Sequence, residues 1–235
     1  MILHVTGNEV HSTSGEVSIP CGTVALPGAL VVPPGANGVV VFAHGSGSSR
    51  HSPRNQFVAR VIRKSGNGTL LFDLLTEEEE FEDNVTRLLR FDITMLAGRL
   101  AEVTRWLSAQ AVVDNLGIGY FGSSTGSAAA LIAAAEFGAG IDAVVSRGGR
   151  PDLAGDALVR VQAPTLFIVG GYDYPVLELN QKAFGELSCK KELKIVPGAT
   201  HLFQESGALE AVACLAADWF RRYLHKSHTP DERHR

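Results

Sequence analysis

The chain has 235 residues, of which 45% are hydrophobic and 20% charged, and a formal net charge of -4 at pH 7. That length suits one large α/β domain with a sizeable core. The acidic balance leaves no basic stripe to neutralise phosphates, which excludes nucleic acid as a main partner. Three cysteines (Cys21, Cys189 and Cys214) lie far apart without metal-ligand spacing and fit free thiols in a reducing compartment. Met1 to Asn8 carry no basic region and no sustained apolar run, and no stretch of the chain is apolar enough to span a bilayer. The expectation is a soluble, cytoplasmic protein with no membrane partner, a monomer or homodimer.

In chain order, Glu16–Ile19, Thr23–Leu26 and Ala29–Val32 alternate and read as antiparallel strands. After the turn at residues 33–38, Val39–Ala43 is a β-branched run suited to a central strand buried on both faces. It empties into His44-Gly45-Ser46-Gly47. Ser52-Pro53 then supplies an N-cap and a first-turn proline for a helix near Arg54–Lys64. Thr69–Phe72 is the next strand, Asp73–Asn84 an acidic loop, and Thr86–Ala109 a long amphipathic helix. Leu116–Leu131 pairs an apolar strand with an Ala-rich helix across Gly122-Ser123-Ser124-Thr125-Gly126. Further strands are expected at Ala143–Ser146, Pro164–Val169 and Leu193–Val196, with helices at Val176–Leu187 and Gly207–Leu224. Strands alternating with helices imply an α/β fold, a mainly parallel, doubly wound twisted sheet flanked by helices. Residues 1–225 read as a single domain and residues 226–235 as a polar tail.

The G-x-S-x-G pattern between a strand and a helix is the context of a nucleophile elbow, with Ser124 at its tip. A serine hydroxyl needs a base, and the base needs an orienting acid. Strand 165–169 leads into Gly170-Gly171-Tyr172-Asp173, and strand 193–196 into a loop ending at His201, the nucleophile–acid–base order of an α/β-hydrolase. Asp173 is the expected acid, with Glu178 the weaker alternative, and His201 the expected base. His4, His11, His225, His228 and His234 lie in the terminal segments, and His44 and His51 on the oxyanion side. Thr125 N–H and a second amide from the loop after the central strand are the expected oxyanion donors. Ser46 is the choice there, with Gly45 and Gly47 close alternatives.

These motifs, with Phe72–Glu79, Val145–Asp152 and Pro197–Phe203, together resemble the α/β-hydrolase superfamily and, more narrowly, its dienelactone-hydrolase-like branch. The likeness is nearest to members sometimes fused to a phosphoribosyltransferase. It implies an α/β-hydrolase fold with no large cap domain, acting on small esters. Typical dienelactone hydrolases carry a cysteine nucleophile where Ser124 stands, which argues against dienelactone itself as substrate. No phosphoribosyltransferase signature is found in this chain.

The expected activity is a serine carboxylesterase for a small-molecule ester. Hydrolysis of a lactone, thioester, amide or phosphotriester at the same triad, or a non-catalytic ligand-binding role, are the alternatives. Arg147 and Arg150 flank Gly148-Gly149 after a strand, where one of them could receive an anionic substrate group or simply pair with Asp152. No metal and no cofactor is expected, since no His/Asp/Glu/Cys cluster has ligand spacing. The acidic run Glu77–Glu80 reads as a solvated loop, with a lid role as the alternative.

Overall fold

The computed structural model describes residues 13–225. Eight strands form one sheet in the order β1-β2-β4-β3-β5-β6-β7-β8. Strands β1 (Thr13–Cys21) and β2 (Val24–Val32) pair antiparallel, and β2 pairs antiparallel with β4 (Gly68–Phe72). From β4 onward every pairing is parallel, through β3 (Gly38–Ala43), β5 (Gly117–Ser123), β6 (Ala143–Arg147), β7 (Thr165–Gly170) and β8 (Lys191–Val196). All parallel carboxyl ends therefore meet at one edge, where an open α/β sheet places its ligands.

Alternation along the strands feeds two separate cores. Val39 and Val41 of β3 pack with α3 (Ile93–Ser108) and α4 (Thr125–Phe137), while Val40 and Phe42 pack with α1 (Pro53–Lys64) and α6 (Ala208–Tyr223). Helix α5 (Tyr174–Glu186) joins the first layer through Ala183. Every residue of β3, β5 and β7 is buried, as a strand covered on both faces requires. Helix α1 starts as its sequence predicts, with Ser52 as N-cap and Pro53 in the first turn. Among the described residues no further layer forms a large cap over the carboxyl edge, and Cys21, Cys189 and Cys214 are free thiols.

Two expectations are corrected. The acidic segment is not a loop: Glu77–Thr86 forms helix α2, closed by a reciprocal capping box between Thr76 and Glu79. Four glutamates in its first turn also suit the positive end of the helix dipole. The helix expected over Thr86–Ala109 is broken. Arg87 turns left-handed (φ 56°) to end α2, Leu89–Phe91 form a 3₁₀ turn, and Asp92 caps the Met95 amide to start α3. A 3₁₀ stretch at Pro151–Arg160, not anticipated, links β6 to β7. His4, His11, His228 and His234 lie outside the described residues, as does the 226–235 tail.

Candidate active site

Ser124 stands between β5 and α4 at φ 49° and ψ -123°, a backbone region that costs a non-glycine residue about 1–3 kcal/mol. Its flanking glycines let the chain double back so tightly. A Cβ on Gly122 would lie 2.4 Å from Ser127 Cα, and one on Gly126 would lie 2.2 Å from Ala43 O. Ser127 Oγ donates to Ser124 O at 2.6 Å and braces the turn. Ser124 is half-buried, whereas Ser123 is buried with its Oγ 3.4 Å from Asn55 Oδ1 on the α1 side. Only Ser124 of this pair lies at the open edge.

Asp173 follows β7 and His201 follows β8, and His201 Nδ1 lies 2.7 Å from Asp173 Oδ2. With the carboxylate as acceptor, the proton sits on Nδ1 and Nε2 keeps its lone pair. The two loops are stitched together by Gly171 N–H to Val196 O and Tyr172 N–H to Ala199 O, each 2.9 Å. The Asp173 side chain is 12% exposed and the His201 imidazole 38%, so the ring faces solvent while its anchor does not. Glu178, the weaker acid candidate, sits inside α5. One turn of chain links the histidine to the elbow. Ser124 N–H donates to Arg147 O at 3.3 Å, and a Cβ on the next residue, Gly148, would lie 3.5 Å from His201 Nδ1.

On the opposite side, the loop after β3 presses against the elbow, and a Cβ on Gly45 would lie 2.9 Å from Ser124 Cβ. Thr125 is the first residue of α4, so its N–H has no acceptor within the helix. Ser46 is differently placed from the expectation. Its N–H donates to Thr125 Oγ1 at 3.1 Å and its Oγ lies 3.0 Å from the same atom. Gly45 N–H has no partner in the turn and loop hydrogen bonds of the described residues. The clamp between Ser46 and Thr125 was invisible in the sequence, because it joins residues 79 positions apart.

The Arg147–Arg150 segment braces the elbow. Arg150 N–H donates to Ser124 O at 3.1 Å and to Ser127 Oγ at 3.0 Å, and Asn180 Nδ2 donates to Gly149 O at 2.9 Å. The Arg150 guanidinium forms a bidentate pair with Asp152 at 2.9 and 2.7 Å, the pairing alternative foreseen for it. Arg147 is buried, and its Nε and Nη1 lack partners among the described residues. Its register partner Ser123 points to α1, and Arg147 lies on that same side beside Arg54. Burial, aided by the Arg54 charge, pushes its guanidinium down to about 10. Neither arginine offers an unpaired charge at the open edge.

Beside the loop after β3 lies a narrow pocket lined by Gly45, Ser46, Thr125, Leu74, Leu96 and Glu80, among others. Helix α2 and the 3₁₀ turn after it form its outer wall, fixed by the buried Asp83–Arg90 ion pair and by Ser46 Oγ donating to Arg90 O at 3.1 Å. Against the opposing effect of burial, hydrogen bonds from the Arg90 side chain and from the Arg90 and Leu89 amides favour the ionised Asp83, and its carboxyl is held below the usual range. Among the described residues no group of three or more His, Cys, Asp or Glu is placed to hold a metal ion, and no helix is long and apolar enough to cross a membrane.

With this geometry in hand, comparison with known proteins is specific. The chain is 56% identical to the solved dienelactone hydrolase of Anabaena variabilis ATCC 29413, over 91% of this chain and 99% of that one, with a TM-score of 0.89. It is 60% identical over 187 residues to a putative phosphoribosyl transferase of Mycobacterium tuberculosis, covering 80% of this chain but 41% of that protein. The chain thus spans about two fifths of the length of the curated relatives it matches. Est1E from Butyrivibrio proteoclasticus, at 17% identity, 89% of this chain, 98% of that one and a TM-score of 0.75, shares the fold. The dienelactone hydrolase family matches residues 26–225, nearly the whole of the described structure, and the chain belongs to that family.

Proposed function

We propose that this chain is a serine hydrolase, a carboxylesterase acting on small esters through an acyl-enzyme. The observation that carries the reading is the 2.7 Å His201–Asp173 contact at the edge to which the strained elbow lifts Ser124. His201 Nε2 takes the proton of Ser124 Oγ as that oxygen attacks the acyl carbon. The oxyanion formed is met by Thr125 N–H and by an amide of the loop after β3. For that second donor the close approach of Gly45 to Ser124 favours the Gly45 amide over the already engaged Ser46 amide. Collapse expels the alcohol, which takes its proton from His201. Water, deprotonated by His201, then cleaves the acyl-serine and releases the acid.

Exposed Tyr172 and Tyr174, either side of Asp173, offer apolar surface beside the acid. Paired Arg150 and buried Arg147 favour neutral over anionic esters. The test is hydrolysis of a short-chain p-nitrophenyl ester by Ser124→Ala, expected to fall by about 10³-fold or more with the fold intact. Retained turnover would rule the reading out.

A further inference from the structure

His44 leaves β3 and is 8% exposed. Both of its ring nitrogens are occupied. Nε2 lies 3.0 Å from the Leu74 amide nitrogen, and Nδ1 lies 3.0 Å from Gly45 O. A backbone amide can only donate and a carbonyl can only accept, so Nε2 holds the lone pair and Nδ1 holds the proton. The ring therefore ties the loop after β3 to the segment after β4.

The Gly45–Ser46 peptide is planar, with its C=O and N–H pointing in opposite directions. Its oxygen is held by His44 Nδ1–H, and its N–H is aimed at Thr125 Oγ1. The Nδ1–H···O bond also closes a ring through the His44–Gly45 peptide, which carries the Gly45 N–H, so with Nε2 anchored at Leu74 the Gly45 backbone is held against Ser124.

Resting on the serine-hydrolase reading above, we propose that His44 is a positioning residue. As the neutral Nδ1–H tautomer it locks the two peptides either side of Gly45 in the orientation that presents the Gly45 N–H beside Ser124, and it carries no proton during turnover. Asp73 and Glu80 are the carboxylates facing the ring, and Asp73 is paired with Arg50. Their pull toward the imidazolium is outweighed by burial, which holds the ring below the usual histidine range. An imidazolium would also turn a second donor toward Leu74 N–H, a buried clash of donors.

Two measurements test this. Ring nitrogen NMR of the intact protein at pH 7 should show a protonated Nδ1 and an unprotonated Nε2 for His44. A protonated Nε2 or an imidazolium would overturn the proposal even if every variant misfolds. In ester hydrolysis, His44→Leu should lose about tenfold or more in kcat with KM within about twofold, and His44→Asn, which keeps a donor near Nδ1, should recover most of the loss. The acid limb of kcat/KM should stay in place in His44→Asn, since His44 carries no proton during turnover. An unimpaired His44→Leu, a loss confined to KM, or a shifted acid limb overturns the proposal. Those results beside an inert Ser124→Ala leave the serine-hydrolase reading standing, whereas an active Ser124→Ala removes the reading itself.

Discussion

Replacing Gly126 by alanine would put a methyl carbon 2.2 Å from Ala43 O and 2.4 Å from His44 O. A close C–H···O contact is ~3.3 Å, so the elbow and the end of β3 would have to separate by about 1 Å. Overpacking of that kind costs about 1–3 kcal/mol of stability. The displacement falls between Ser124 and the oxyanion loop, and a misplacement of ~1 Å at a reacting centre can cost about 10²-fold in rate. Gly98 supplies the control. It is exposed in the interior of α3, and a Cβ there meets nothing within 4 Å. Gly98→Ala should therefore stabilise by about 0.5–1 kcal/mol through helix propensity alone and leave activity unchanged. Thermal melts and ester hydrolysis on both variants read the two effects together. A Gly126→Ala protein as stable and as active as the parent would refute the claim that backbone crowding shapes the elbow.

Further expectations concern charge. Arg150→Ala removes a guanidinium already paired with Asp152 and leaves the backbone N–H that braces Ser124. Its kcat/KM should fall by less than about threefold, equally on neutral and acidic esters. A loss selective for acidic esters would restore Arg150 as an anion receptor. Glu79 hydrogen-bonds Arg99 and closes the α2 capping box, and the Arg99 bond above all holds its carboxyl below the usual range. A depressed carboxyl stabilises the fold above the unfolded-state value near ~4.3, and the benefit is lost as pH falls through the folded one. Glu79→Gln should thus be less stable by about 1–2 kcal/mol at pH 7, with the gap narrowing below about pH 4. A gap that stays constant down to pH 3 would contradict the ion-pair account.

Where the sequence was legible, a steric or burial requirement left few residue choices. The all-buried β3 announced itself through its valine run, and the elbow through glycines that stand where any Cβ would strike Ser127 or Ala43. The loops carrying Asp173 and His201 could be placed because each follows a strand, the fully buried β7 and the edge strand β8. Helix α2 escaped notice because consecutive glutamates suggest solvation. Yet Thr76 with Glu79 three residues on was a capping-box signal present in the sequence. The break after α2 offered no glycine or proline: Arg87 adopts the left-handed turn itself, and only Asp92 hinted at a new N-cap. The Arg147–Arg150 segment was ambiguous for another reason. A residue's position at a strand end does not tell which face its side chain takes. Here strand register sends Arg147 toward α1 and Arg54, and a local partner two residues away claims Arg150.

Covalent labelling tests most directly whether an ordinary hydroxyl has become reactive at the sheet's carboxyl edge. The protein would be treated with a fluorophosphonate, and the adduct located by mass spectrometry of its peptides. The account predicts a single adduct on Ser124, lost in Ser124→Ala and slowed when His201 is replaced by alanine. An unlabelled protein, or one modified at Ser123 or elsewhere with Ser124 untouched, would contradict it.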